Sequence, residues 1–155
     1  MKSMFMFGPN VIPDSQIFYQ SLHCFGLVNL KPIIPGHVLV VSKRLVPRLN
    51  ELRPEEAADL MISARNISSV IEKYYKGTSV TFALQDGPDA GQTVPHVHMH
   101  IIPRRTEDYE NNDDIYSDLN KFEYRKQGVD HEERKPRSEL AMKLEADQLR
   151  VLFGK

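Results

Sequence analysis

Apolar positions in the first half of the chain fall into short runs, Ile17 to Leu22, Phe25 to Leu30, His37 to Ser42 and Ser79 to Gln85. Each has the length of a strand. The connection Lys31-Pro32-Ile33-Ile34-Pro35-Gly36 between the second and third carries two prolines and a glycine and predicts a hairpin. From Pro54 the spacing changes to steps of three and four through Ala57, Leu60, Met61, Ala64, Ile67, Val70, Ile71 and Tyr74, which predicts one long amphipathic helix. Pro54 suits its first turn, Glu55 and Glu56 complement the positive end of its dipole, and Gly77 suits a C-terminal cap. A further strand is expected from about His96 to Ile102, stopped by Pro103. Ser138 fits the N-cap of a last helix carrying Leu140, Ala141, Leu144 and Leu149. A mostly antiparallel sheet with one long helix and a C-terminal helix is an α+β architecture.

Length fits one domain over residues 1–155. From Arg104 to Arg137, 18 of 34 residues are charged, so the segment 106–137 is expected to be a mobile loop that buries too little to order itself. Over the whole chain the composition, 41% hydrophobic and 26% charged, is that of a globule. A formal net charge of −1 leaves no global field for a nucleic-acid backbone, so any polyanion must be gripped locally. The single cysteine, Cys24, excludes an internal disulfide and reads as a buried, inert thiol. No run approaches the roughly 20 apolar residues of a transmembrane helix, and no long apolar leader is seen, so no membrane partner and a cytoplasmic, also nuclear, location are expected.

His96, His98 and His100 alternate with Val97, Met99 and Ile101. On a strand this puts three imidazoles on one face, neighbours roughly 6.6 Å apart at Cα, close enough to surround one ligand. Such a row suits either of two chemistries, a nucleophile with supporting groups or a metal held by two imidazoles and a third ligand from elsewhere. The preceding stretch Gln85-Asp86-Gly87-Pro88-Asp89-Ala90-Gly91-Gln92-Thr93-Val94-Pro95 reads as an anion cradle. Gly87 and Gly91 permit positive φ and successive amides aimed at phosphate oxygens, with the Gln92 amide and Thr93 hydroxyl as further donors. Phosphate donors beside a nucleophile favour phosphoryl chemistry.

These residues resemble the histidine-triad proteins, and specifically the fragile-histidine-triad branch of dinucleoside polyphosphate hydrolases. The resemblance runs from about Phe5 to Tyr116, through Val28-Asn29-Leu30-Lys31-Pro32, Pro35-Gly36-His37-Val38-Leu39-Val40 and the stretch from Gln85 to Pro103. Gln85-Asp86-Gly87-Pro88 and Asn112-Asp113-Asp114-Ile115-Tyr116 point to this branch, and a histidine at position 100 to the hydrolases. The resemblance implies a homodimer and a two-step reaction, in which His98 attacks the α-phosphorus and water hydrolyses the nucleotidyl-histidine, so that diadenosine triphosphate yields AMP and ADP. It further implies that His96 orients the nucleophile through its carbonyl, that His100 meets the transferring phosphate and leaving oxygen, and that His37 buttresses the row. Asn29 is implied at the ribose, Gln85, Gly91, Gln92, Thr93 and Val94 at the phosphates, and the apolar sheet around Phe7 and Leu27 at the adenine. Asn10, also implied among the substrate-binding residues, and Pro95 depart from the family, standing where it has more basic residues. A divalent cation, magnesium or manganese, is implied with the substrate phosphates; no organic cofactor and no protein metal ligands are expected.

The remaining candidates read as ordinary surface first. His23 and His131 suit an element end and a solvated loop; Arg104, Arg105, Lys43 and Arg44 could meet a distal phosphate or only water. Tyr116 could close over a dinucleotide or accept a modification. A second class of function needs the same pocket: a nucleotide-binding signalling module whose substrate-bound dimer is the output.

Overall fold

The computed structural model of the chain describes residues 4–123 and 136–154. His131 and most of the second half of the charged segment lie outside the described residues. The elements in chain order are β1 (Phe5–Phe7), β2 (Asn10–Ile12), β3 (Ile17–Gln20), β4 (Cys24–Val28), β5 (Val38–Ser42), α1 (Pro54–Tyr74), β6 (Ser79–Ala83), β7 (His98–Arg104), α2 (Asp114–Glu123) and α3 (Glu139–Leu152). β3 to β7 form a five-stranded sheet in the order β3-β4-β5-β7-β6 with every pairing antiparallel, so the fold is α+β.

Residues directly opposed across an antiparallel ladder share a face. The register pairs Val41 with His98 and Leu39 with His100, then Phe25 with Val41, Leu27 with Leu39 and Ile17 with Leu27. One face therefore carries the histidines among apolar residues. The opposite face carries Val28, Val38, Val40, Met99 and Ile101, and against it α1 buries Leu60, Ala64, Ile67 and Ile71, the stripe its periodicity predicts. At the start of α1 the Glu56 carboxylate accepts the Arg53 N–H at 2.7 Å and pairs with Arg44 at 2.8 Å. The Arg44 guanidinium holds that carboxyl down at about 2. At its end the left-handed residue is Lys76, φ 59°, one place before the glycine expected there; the Gly77 N–H still closes the turn onto the Glu72 carbonyl.

Two expectations are corrected, and one element is new. Pro103 does not stop β7, which runs to Arg104 with Pro103 opposite Val80. The ladder with β5 ends at Ile101, so the missing N–H of Pro103 interrupts no bond on that side. Within the segment expected to be a loop, 114–123 is helical: Ile115 and Leu119, one turn apart, are buried against Ile102. Sparse apolar residues suffice there because they share one helix face, and because Arg104 ties the preceding turn down through Asp108 at 2.7 Å and the Asn112 carbonyl at 3.2 Å. The β1–β2 hairpin was not expected at all. It lies over the histidine face, Phe5 packing with Phe25 at 5.0 Å between ring centroids. α3 starts as predicted, the Ala141 N–H donating to Ser138 Oγ at 3.1 Å, and it packs against β3 and β4, its Met142, Ala146 and Leu149 joining the core that α1 buries.

Candidate active site

The histidines are buried, His96, His37 and His100 completely and His98 to 4% exposure, which excludes a solvated histidine face. Their tautomers follow from what the backbone offers. An amide N–H can only donate and a carbonyl can only accept, so each contact fixes which ring nitrogen holds the proton. Gly8 donates its N–H to His96 Nδ1 at 3.0 Å, so the His96 proton sits on Nε2 and goes to the Ser42 carbonyl at 2.7 Å. Burial holds the His96 pKa below its ordinary value, opposed in part by that carbonyl, and the nearby His98 lowers it further. His96 in turn offers its own carbonyl to His98 Nδ1 at 2.7 Å. That contact requires the proton on Nδ1 and leaves the neutral ring its lone pair on Nε2.

A second relay fixes His100. Ile33 donates its N–H to His37 Nδ1 at 3.1 Å, so His37 Nε2–H donates to His100 Nδ1 at 2.9 Å. His100 therefore keeps its proton on Nε2. The rings of His98 and His100 stand 5.3 Å apart, placing one nitrogen base beside one nitrogen acid on the same face. Phe7 from the hairpin meets the His98 ring edge-on at 4.8 Å.

His98 opens onto a cavity of about 520 Å³ lined also by Phe7, Leu27, Leu39, Asn29, Thr93 and Val94, with Asn10 at its rim. The register orients this cavity: it crosses from β7 over Leu39 on β5 to Leu27 on β4. Asn29 is 2% exposed and its Nδ2 donates to the His37 carbonyl at 3.1 Å. The hairpin needs glycine at its turn. Gly8 has φ +58°, and a Cβ there would sit 2.7 Å from Val94 Cγ1.

The loop before the row departs from the anion-cradle expectation. Gly87 and Gly91 do adopt positive φ, 107° and 99°. The amides they were expected to free are engaged inside the loop, Ala90 and Gln92 on the Gly87 carbonyl and Gly91 on the Pro88 carbonyl. The Gln92 side chain is a clamp: Oε1 accepts the Gly87 N–H at 2.9 Å and Nε2 donates to the Pro47 carbonyl at 2.9 Å. Gln85, Gly91 and Gln92 do not line the cavity, whereas Thr93 and Val94 do. A compact 3-10 turn over Pro88–Ala90 accounts for this, since its hydrogen bonds use the donors that a cradle would need.

Other candidates are accounted for. Arg44 serves α1, Arg104 serves the turn at Asp108, and Arg105 Nη2 donates to the Tyr75 carbonyl at 2.7 Å, so these cations fasten the fold. Cys24 is fully buried and burial pushes its thiol up to about 12, as an inert thiol requires. Lys31, Glu139 and Met142 line the cavity without having been expected there. The last two arrive from α3, and nothing in the local sequence signals which end of a helix closes a distant cavity. The Gly8-Pro9 turn between Phe5-Met6-Phe7 and Val11-Ile12 was the available signal for the hairpin.

A buried imidazole with its lone pair on Nε2, beside a second imidazole that carries an N–H, on a strand over a nucleoside-sized cavity, is an arrangement suited to group transfer. Metal ligation by the full row is excluded by its hydrogen bonds, because both nitrogens of His96 are engaged by backbone groups. A model of the HIT domain family matches residues 11–107. The chain belongs to the histidine-triad family, in its fragile-histidine-triad branch. It is 52% identical over 147 residues to a bis(5'-adenosyl)-triphosphatase of Dictyostelium discoideum, covering 95% of this chain and 91% of that one. It is 45% identical over 153 residues to a bifunctional bis(5'-adenosyl)-triphosphatase/adenylylsulfatase FHIT of Arabidopsis thaliana, covering 97% of this chain and 85% of that one. The crystal structure of Plasmodium falciparum diadenosine triphosphate hydrolase with cyclomarin A superposes with a TM-score of 0.79 at 27% identity, covering 99% of this chain and 86% of that chain.

Proposed function

We propose that this protein hydrolyses dinucleoside polyphosphates, diadenosine triphosphate to AMP and ADP, through a nucleotide carried covalently on His98. The observation that carries the reading is the 2.7 Å bond between His98 Nδ1 and the His96 carbonyl, which presents Nε2 as the basic atom at the cavity. In the first step Nε2 attacks the α-phosphorus, the N–P bond forms, and the bond to the departing ADP oxygen breaks. The His96 carbonyl holds the proton that remains on the now cationic ring. His100, its proton on Nε2, stands beside the reacting phosphoryl group to donate toward its oxygens. In the second step water attacks phosphorus, the N–P bond breaks, AMP leaves with the water oxygen, and the surplus proton goes to solvent. The relatives' activities support the substrate class.

Magnesium and manganese favour oxygen ligands, whereas the row offers nitrogens. Among the described residues no group of three or more His, Cys, Asp or Glu could hold a metal, so we assign any divalent ion to the substrate phosphates. We also assign the working form as a homodimer. In support, β6 lies at an edge of the sheet and is partly exposed, Phe82 at 44%. Sedimentation at low micromolar concentration tests this, and a fully active monomer would contradict it.

His98→Asn should lower turnover at least about 1,000-fold while leaving dinucleotide affinity within about tenfold, roughly 1.4 kcal/mol. His96→Asn and His100→Asn should be less severe. Equal damage in all three variants, with loss of a stoichiometric metal, would instead support a metal centre.

A further inference from the structure

The matched family stretch ends at residue 107, yet a residue well beyond it holds the main chain of Asn29, which lines the cavity. Arg137, just before α3, donates its main-chain N–H to the Leu30 carbonyl at 2.9 Å. Its Nε donates to the Asn29 carbonyl at 3.0 Å, and Nη2 donates to the same oxygen. Nη2 also pairs with Glu145 Oε1 at 2.8 Å, and the other oxygen of Glu145 accepts the Tyr75 hydroxyl. A rigid guanidinium thus joins α3 and the end of α1 to the peptide that carries Asn29. From Asn29 the contacts continue inward: its Nδ2 to the His37 carbonyl, then His37 Nε2–H to His100 Nδ1.

We propose that Arg137 is a positioning residue of the active site, fixing the Asn29 peptide and through it both the Asn29 carboxamide in the cavity and the His37–His100 pair. The inference rests on the reading above in one respect, that Asn29 meets the ribose of the bound nucleotide. The chemistry favours arginine specifically. Two donors of one planar fork converge on a single carbonyl while the fork also holds a carboxylate, an arrangement that a lysine ammonium on a flexible stem reproduces poorly. An arginine that merely anchored α3 would act on stability alone.

The test is a double-mutant cycle on the full chain with Arg137→Met and Asn29→Ala, measured with diadenosine triphosphate. Arg137→Met should lower kcat/KM about tenfold, mainly through KM, in the parent, and less than about twofold once Asn29 is alanine. Arg137→Lys should restore only part of the loss. Equal losses of kcat/KM in both backgrounds, or a loss confined to Tm, would overturn the proposal. If Asn29→Ala itself leaves KM unchanged, the ribose reading fails separately. The proposal is then decided without substrate by the Asn29 side-chain amide resonances. Arg137→Met should shift them and speed their exchange, and unchanged resonances would overturn it.

Discussion

On one side of the sheet Val38, Val40, Met99 and Ile101 pack with a stripe of α1 into one hydrophobic cluster; on the other, His98 opens onto a cavity of about 520 Å³, with the His100 ring 5.3 Å from its own. Both sets are buried to 5% exposure or less, so depth does not separate them. What differs is the cover. A 21-residue helix fills the first side, while the second is roofed in part by two strands of 3 residues each, which are too short to fill it. The dry side supplies rigidity, and the roofed side supplies polar contacts that set tautomers and leave space beside them.

The largest effect that breaks this contrast is expected on the dry side. Ile101→Ala should cost about 2–5 kcal/mol in urea unfolding, while kcat of the folded enzyme stays within about threefold. A stable variant with collapsed kcat would show that the two sides are not separable in this way. On the roofed side, Gly8→Ala meets both a positive φ and the Val94 side chain. About 1–3 kcal/mol of stability should be lost, with a fall in kcat/KM that outlasts compensation of the stability loss, because the His96 anchor is displaced. Full kcat/KM in that variant would dismiss the hairpin as a part of the site.

A smaller effect is expected with pH. His96 is held neutral in the fold with its pKa below the ordinary 6.5, so below that value the unfolded chain binds a proton that the folded protein does not. Stability from this group is complete above 6.5 and falls as pH drops through the window between the two values. Glu56 adds its own loss only below 4.5, as pH falls toward about 2. Tm should therefore decline from pH 7.5 to 5.5, and less steeply in His96→Gln, whose amide can still accept from Gly8 and donate to Ser42. An unchanged slope would contradict the assignment. The smallest effect is at Cys24, which should resist alkylation at pH 8 in the native protein and react in urea. Stoichiometric labelling of the native thiol would overturn its placement in the dry core.

Periodicity made the α1 stripe and the sheet strands legible, because burial on one side writes itself into spacing. The row at His96, His98 and His100 was legible for the same reason, two-residue alternation. What spacing does not record is the partner of each imidazole. Gly8, Ile33 and Ser42 act through main-chain atoms, and any residue type but proline could offer the Ile33 N–H, and any at all the Ser42 carbonyl. The loop at Gly87 and Gly91 misled in an instructive way. Its glycines signalled positive φ correctly, but the same turn geometry let the loop consume its own amides. Helix α2 was missed because charge density was averaged over a segment in which Ile115 and Leu119 occupy one face.

Nε2 of His98 is the atom proposed to change bonding, and trapping the covalent state tests this most directly. A phosphoramidate on histidine is labile in acid and survives alkali, so enzyme quenched into alkali during turnover of diadenosine triphosphate should be heavier by one adenylyl group. The added mass should map to the peptide containing His98 and be absent from His98→Asn. Quenched enzyme of unchanged mass during demonstrable turnover, or an adenylyl group mapped to another residue, would contradict nucleophilic catalysis by His98.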